Sequence, residues 1–259
     1  MSTAATAGPA RAGSLRSRWL PFPVDPDARI RLYCLPHAGG SASAFRSWTG
    51  RAGDAAVCPV QLPGRDARVS DPAHPTMPAL VGDLAGVLLA EAAADPRPYA
   101  LYGHSLGALV GFELARELRR RGGPQPEHLI VSGCSAPQAV EDPADDLSDA
   151  QIVSLLRSLG GTPELYLSDP RVLRLILPAI RADLTVRNSY RYRPEQPLTI
   201  PLTAIAATSD ARAPAPSLAA WRDQTVGRFR LHTLVGGHFA VLEQPETTLR
   251  HLTAALRPV

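Results

Sequence analysis

The sequence contains little cysteine, and its few cysteines are not arranged as a metal site or a disulfide framework. Three occur in 259 residues, each in an apolar stretch and none in a C-x-x-C pair: Cys34, Cys58 and Cys134. Scattered cysteines in odd number are typical of reduced thiols inside a cell. No group of histidine, cysteine and acidic residues has the spacing of metal ligands. We therefore predict a cytoplasmic protein without a metal site.

Long apolar runs and a strong excess of charge are also absent. No uninterrupted apolar stretch approaches the ~20 residues that a membrane-spanning helix needs. The N-terminal residues contain no apolar segment typical of a secretion signal. The net charge is only +3, from 27 basic and 24 acidic residues, which gives no indication of nucleic-acid binding. We predict a soluble monomer that acts without a membrane or a nucleic acid.

Short apolar runs alternate with helical patterns along most of the chain. Strands are predicted over residues 29–35, 55–62, 99–102, 128–132, 202–207 and 229–234. Helices are predicted over residues 42–48, over 77–94 and after Ser105. This alternation is typical of an α/β domain with a mostly parallel sheet and helices on both faces. We predict one such domain over residues 29–259, preceded by a disordered leader over residues 1–28.

The stretch of about residues 137–194 interrupts this alternation. It contains no convincing strand, but helical patterns cover residues 149–159, 170–180 and 182–190. A helical insertion on the side of a sheet where catalytic loops gather is typical of a lid over the site. The alternative is a set of ordinary crossover helices that only cover the sheet.

A serine stands between two glycines where a predicted strand gives way to a predicted helix. Residues 103–107 read Gly-His-Ser-Leu-Gly. In this context G-x-S-x-G is typical of a nucleophile elbow, in which the glycines allow close backbone approach and the serine hydroxyl projects above the sheet. The alternative is a glycine-rich turn in which the serine only caps the helix. We predict Ser105 as the nucleophile and the Leu106 backbone N–H as an oxyanion donor.

A serine nucleophile needs a histidine base and a carboxylate that orients the base. His238 lies in a loop between a strand and a helix, whereas the other downstream histidines have structural positions available: His128, His232 and His251. Asp210 directly follows the strand over 202–207, at the edge where parallel sheets place their sites. Its alternative role is an Asx turn. Other acids fall in the insertion or in a helix: Asp142, Asp145, Asp146, Asp149, Asp169, Asp183 and Asp223.

The loop after the first strand is the natural source of a second oxyanion donor. It reads His37-Ala38-Gly39-Gly40, and the backbone N–H of Ala38 is the predicted donor. His37 precedes the serine in the chain, so we assign it to shaping the loop and not to proton transfer.

Several longer motifs then occur in order: "LYCLPHAGGSASAFRSW", "VQLPGRDAR", "YGHSLGA", "LGGTPELYLSDPRVLRLILPAIRADLTVRNSYRYRP" and "GGHFAVLEQ". From about Arg29 to the C-terminus the sequence resembles the type II thioesterases of polyketide and nonribosomal peptide synthesis. Ser105, Asp210 and His238 match the family's triad positions, and its oxyanion amides fall at Ala38 and Leu106. Leu106 replaces a common methionine, and the residues after Asp210 lack the usual proline-valine continuation.

The resemblance implies an α/β-hydrolase fold with a helical lid. It also implies release of stalled or aberrant acyl groups from the phosphopantetheine arm of acyl or peptidyl carrier proteins, with no cofactor bound by the enzyme itself. Arg65 and Arg68 follow a Pro-Gly turn, where they would either contact an acidic carrier protein or lie in a solvated loop. The arginines at the end of the helix after Ser105 suit the helix dipole, with an acidic partner as the alternative.

Three other functions remain open. A discrete small-molecule carboxylesterase would use the same triad on oxygen esters. A product-releasing terminal thioesterase would share the motifs, although the initial methionine and the lack of a carrier-like segment favour a discrete protein. A catalytically inactive binding module on a hydrolase fold would not need all three triad residues in order.

Overall fold

Six parallel strands form the centre of the computed structural model, which describes residues 18–140 and 147–257. They are β1 (Ile30–Leu35), β2 (Ala55–Pro59), β3 (Tyr99–His104), β4 (Leu129–Ser132), β5 (Leu202–Ala207) and β6 (Phe229–Leu234). Their order in the sheet is β2-β1-β3-β4-β5-β6, and every neighbouring pair is parallel. Each strand overlaps a predicted one, although β2 ends three residues before its predicted limit.

Helices cover both faces of this sheet. The described residues form α1 (Met77–Ala94), α2 (Leu106–Arg120), α3 (Asp149–Leu159), α4 (Glu164–Leu167), α5 (Pro170–Asn188), α6 (Ala215–Ala219), α7 (Ala240–Glu243) and α8 (Pro245–Ala255). In β1, Tyr33 and Leu35 pack with α1 and α2, whereas Ile30 and Leu32 pack with α7 and α8. Successive strand residues point to opposite faces, so both faces become buried. The helix predicted over residues 42–48 is a 3-10 helix (Ala42–Trp48).

Helix α1 is the one helix in the described ranges that is long and apolar enough to cross a membrane. Its Leu80, Leu84 and Leu88 side chains are buried in the core that α1 shares with α2. A buried core helix can be as long and as apolar as a membrane-spanning one, and the packing of α1 is that of a core helix.

The segment that precedes residue 29 packs against the domain, although it belongs to the predicted leader over residues 1–28. Residues 1–17 lie outside the described residues, but Trp19 and Leu20 are both buried. The Arg68 guanidinium lies over the Trp19 ring, 4.4 Å from its centre, and the Trp19 carbonyl accepts a hydrogen bond from the Gln61 amide. The prediction of disorder is therefore wrong for residues 18–28, because the buried aromatic ring and its cation contact hold this segment in place.

The insertion has a small apolar core of its own, formed by Ile152, Val153, Leu167, Leu177 and Ile180. Helix α3 has the predicted bounds, whereas α4 was not predicted. The two helices predicted over 170–180 and 182–190 are one helix, α5, which continues through Pro178. Proline removes one backbone donor, but burial of the flanking Leu177 and Ala179 keeps the helix continuous.

We predict that Trp19→Ala lowers the free energy of unfolding by about 3 kcal/mol, because the substitution empties a buried aromatic site. Chemical denaturation of the purified protein measures this change. Leu165→Ala is the matched control, since Leu165 is 77% exposed and its truncation should have little effect. An unchanged Trp19→Ala midpoint would contradict the described packing of the N-terminal segment.

Candidate active site

Ser105 occupies a sharp turn between β3 and α2. Its backbone has φ 55° and ψ −118°, and it is one of two non-glycine residues with positive φ in the described part of the chain. Such a conformation is strained for a residue with a Cβ atom and occurs most often at functional sites. The Ser105 amide donates to the Ser132 carbonyl at 2.8 Å, which holds the turn against β4.

The two flanking glycines are required by close backbone contacts. A Cβ atom on Gly103 would lie 2.1 Å from the Gly107 carbonyl oxygen, and one on Gly107 would lie 2.2 Å from the Leu35 carbonyl oxygen. Neither contact is sterically possible, and both neighbours are backbone atoms that cannot move aside. The G-x-S-x-G pattern therefore follows from packing of α2 against β3 and β1.

His238 and Asp210 form a buried pair beside the elbow. His238 Nδ1 donates to Asp210 Oδ2 at 2.8 Å, and Asp210 Oδ1 accepts from the amides of Arg212 at 3.0 Å and Ala213 at 3.3 Å. Burial alone would raise the pKa of Asp210, but His238 and these amides outweigh burial and hold the pKa below its usual range. The carboxylate can therefore stay ionised and fix the orientation of the His238 ring.

Ser105 and His238 both line a cavity of about 450 Å³, together with Ala38 and Leu106. No hydrogen bond joins Ser105 to His238 among the described residues; such contacts are often long without substrate and tighten on binding. Leu106 is the first residue of α2, so its N–H has no carbonyl partner in the helix. The structure thus brings all five predicted site residues to one end of the sheet.

The insertion forms the apolar wall of this cavity. Its contributing side chains come from α3 and α5 and include Leu155, Leu156, Leu159, Val172, Ile176, Ile180 and Leu184. These residues were not predicted as part of the site. In the sequence they resemble ordinary core positions of amphipathic helices, and their placement opposite Ser105 depends on how the insertion folds back.

His37 lies near the site but is unsuited to act as the base. Burial, followed by the charges of His238 and Arg65, lowers the pKa of His37 to about 4. A group with so low a pKa is a weak proton acceptor, and the His37 ring packs edge-on against Phe239 at 4.8 Å between centres.

The remaining histidines have structural contacts. His104 shares a hydrogen bond of 3.0 Å with the Ser132 hydroxyl, and His128 pairs with Thr203 at 2.9 Å. His232 and His251 stack on each other with ring centres 4.2 Å apart. His74 pairs with Asp83 at 3.0 Å outside this cavity. Of the two described histidines that line the cavity, His37 and His238, only His238 bonds to a carboxylate.

The arginines considered for carrier contact face inward. Arg65 and Arg68 are buried, so the prediction that they contact an acidic protein or lie in a solvated loop is wrong. Arg65 pairs with Asp183, and Arg68 pairs with Asp71 at 2.7 Å. The sequence indicated only a turn, because the burial depends on contacts with distant segments. The helix-end arginines form ion pairs with nearby glutamates, namely Glu113, Glu117 and Glu195.

Comparison with known proteins assigns the family. The model of the family described as "Thioesterase domain" matches residues 30–256 of this chain. This chain belongs to the thioesterase family. GrsT, a gramicidin S biosynthesis protein of Aneurinibacillus migulanus, is 37% identical to it over 242 residues, which cover 91% of this chain and 92% of GrsT.

Two solved structures are similar to the thioesterase over nearly its whole length. RedJ, a thioesterase from the prodiginine pathway of Streptomyces coelicolor, is 40% identical with a TM-score of 0.82, covering 93% of this chain and 99% of RedJ. BorB, a type II thioesterase from the borrelidin biosynthetic cluster, is 36% identical with a TM-score of 0.82, and the match covers 92% of this chain and 98% of BorB. The predicted family and α/β-hydrolase fold are confirmed. The protein is a type II thioesterase of the nonribosomal peptide and polyketide class.

Replacing the carboxylate that orients His238 should impair catalysis without unfolding the thioesterase. We predict that Asp210→Asn lowers kcat on an acyl thioester by about 10⁴-fold, because the amide no longer selects the required imidazole tautomer. Steady-state hydrolysis of an acyl N-acetylcysteamine thioester measures the effect. Asp223→Asn, an exposed position after β5, is the control and should retain wild-type turnover. Equal turnover of Asp210→Asn and wild type would exclude Asp210 from the site's chemistry.

The pH dependence of kcat/KM tests whether His37 acts as the base. Because the pKa of His37 is about 4, it carries no charge change between pH 5 and pH 8. We predict that His37→Gln leaves the acidic limb of the kcat/KM profile where it is in the wild type. If the acidic limb of the kcat/KM profile lies at a different pH in His37→Gln than in the wild type, His37 is the titrating base.

Proposed function

We propose that this thioesterase hydrolyses acyl groups from the phosphopantetheine arm of acyl or peptidyl carrier proteins, and so clears stalled or aberrant groups from a synthase. One observation carries the proposal. Ser105 and His238, which is bonded to Asp210, line a cavity whose lining also contains the apolar side chains of the insertion. An apolar wall opposite a nucleophile suits an acyl chain held with its carbonyl at Ser105.

In the proposed reaction His238 accepts the Ser105 proton while the serine oxygen attacks the thioester carbonyl carbon. The backbone N–H groups of Ala38 and Leu106 stabilise the oxyanion of the tetrahedral intermediate. Its collapse breaks the carbon–sulfur bond, and His238 returns the proton to the departing pantetheine thiolate. His238 then removes a proton from water as the water oxygen attacks the acyl-enzyme carbonyl carbon. Collapse of this second intermediate breaks the bond between the acyl carbon and the Ser105 oxygen, and His238 returns the proton to that oxygen, which releases the free acid and Ser105.

The same arrangement supports proposals for the partner and for the role of the insertion. The arm must reach Ser105 past α3 and α5, so we propose that the insertion acts as a lid over the acyl chain. The biosynthetic names of GrsT, RedJ and BorB support a carrier-bound substrate. In this proposal the enzyme works as a cytoplasmic monomer, binds no cofactor, and meets phosphopantetheine only as part of its substrate.

Hydrolysis of carrier-bound substrates tests the proposal directly. Wild-type protein should release acetyl, propionyl and longer acyl groups from a phosphopantetheinylated carrier protein, and Ser105→Ala should abolish release because the nucleophile is lost. Mass spectrometry of the carrier protein detects loss of the acyl group. Mass spectrometry of the wild-type enzyme detects the acyl group bound to Ser105.

The same acyl groups on simple oxoesters distinguish the alternatives. Cleavage of the oxoester with no effect on the carrier would replace the proposal by a small-molecule carboxylesterase. Cyclic products from a peptidyl carrier would indicate a product-releasing terminal thioesterase. An absence of any turnover, with tight carrier binding, would indicate an inactive binding module.

A further inference from the structure

A buried ion pair links the insertion to the turn that follows β2. Arg65 Nη1 donates to Asp183 Oδ2 at 2.5 Å, and Arg65 Nη2 donates to Asp183 Oδ1 at 2.6 Å. The side chains are only 6% and 5% exposed, and Asp183 lies on α5. Two parallel hydrogen bonds fix the relative orientation of a guanidinium and a carboxylate. Burial also removes both groups from solvent, so each must be satisfied by protein atoms.

The pair also makes two hydrogen bonds to the loop that carries Ala38. Asp183 Oδ2 accepts from the Gly39 amide at 2.7 Å, and Arg65 Nη1 donates to the Gly40 carbonyl at 2.9 Å. Arg65 Nε also donates to the Pro63 carbonyl at 3.2 Å. One ion pair therefore holds three segments together: the loop after β1, the turn after β2 and helix α5.

These contacts restrain the peptide that bears the Ala38 N–H. The carbonyl of that peptide belongs to His37, and it accepts a hydrogen bond from the Gly40 amide at 2.9 Å. Asp183 holds the next peptide through the Gly39 amide, while Arg65 holds the Gly40 carbonyl. With the flanking groups held, the Ala38 N–H has little freedom to rotate away from the cavity.

Helix α5 also packs directly on this loop. Gly39 has φ +75°, and a Cβ atom at Gly39 would lie 2.4 Å from Ile180 Cγ1. Ile180 precedes Asp183 by about one helical turn, so both residues present the same side of α5 to the loop. The loop is thus enclosed between the body of the domain and the insertion.

We propose that Arg65 and Asp183 are positioning residues for the oxyanion hole, through which the insertion sets the direction of the Ala38 N–H. The inference deepens the proposed function, because it rests on the oxyanion role of Ala38. Seating of α5 then has two effects: it closes the acyl cavity and completes the hole. An enzyme whose insertion is displaced would retain the Ser105 turn but lose a donor that the transition state requires.

Conservative variants test this arrangement. Asp183→Asn keeps the size of the side chain but places an amide N–H₂ against the Arg65 guanidinium. Arg65→Lys keeps the charge but cannot form the two parallel bonds and also reach Gly40 and Pro63. We expect each variant to lower kcat by about 100-fold, as loss of an oxyanion donor does, with little change in KM. Arg181→Gln is the matched control, since Arg181 lies on the same helix as Asp183 but its ion pair, with Asp149 of α3, is exposed.

A transition-state analogue distinguishes positioning from a purely structural role. An acyl trifluoromethyl ketone forms a tetrahedral adduct with a serine and needs the oxyanion hole, whereas the matching thioether resembles the substrate and does not. We expect the ketone to bind about 100-fold more weakly to both variants, and the thioether to bind them as it binds wild type. Circular dichroism at the assay temperature shows which variants are folded. If Asp183→Asn is not folded, the affinities of Arg65→Lys for the two ligands test the inference.

Two results would overturn the inference: unchanged kcat and ketone affinity in folded variants, or equal weakening of both ligands. The assay also separates this inference from the proposed function. A wild type that binds the ketone but does not act on carrier-bound acyl groups would contradict the proposed substrate, while the comparison of variants would still decide the role of the ion pair.

Discussion

The close approach of α2 to β1 and β3 is the constraint on which the site depends. The helix can start directly at the sheet edge because Gly103 and Gly107 have no side chains to collide with the neighbouring backbone. This contact accompanies the positive-φ conformation of Ser105, and Leu106, the first residue of α2, lines the same cavity as Ser105. The proposed nucleophile and one proposed oxyanion donor are therefore products of a single packing requirement.

The parallel sheet supplies the other groups. Strands β1, β3, β5 and β6 end at the same edge, and the loops that follow them carry Ala38, Ser105, Asp210 and His238. Residues far apart in the sequence meet because parallel strands all place their carboxyl ends on one side. The insertion then covers this edge with apolar side chains, so the proposed reactive groups and the proposed acyl-binding surface come from different layers of the fold.

Buried charge gives the site its rigidity. Two carboxylates serve different purposes: Asp210 orients His238, whereas Asp183 is neutralised by Arg65 and bonded to the Gly39 amide. A buried ion pair is not in itself a strong source of stability, but its fixed geometry restricts the loops that it joins. The same inward use of arginine occurs at Arg68, which pairs with Asp71 and covers Trp19.

Local patterns in the sequence predicted strands that each overlap an observed strand, and they predicted the bounds of helix α3. They also indicated Ser105, Asp210 and His238, which the fold brings to one edge of the sheet. Apolar periodicity, glycine spacing and chain order are properties of neighbouring residues, so they can be read without coordinates. Tertiary structure alone decided that Trp19 is buried, that α5 continues through Pro178, and that Arg65 and Asp183 face each other. Each of these outcomes depends on contacts between segments distant in the chain, whose energies outweigh the local preference for a polar loop, a helix break or a solvated charge.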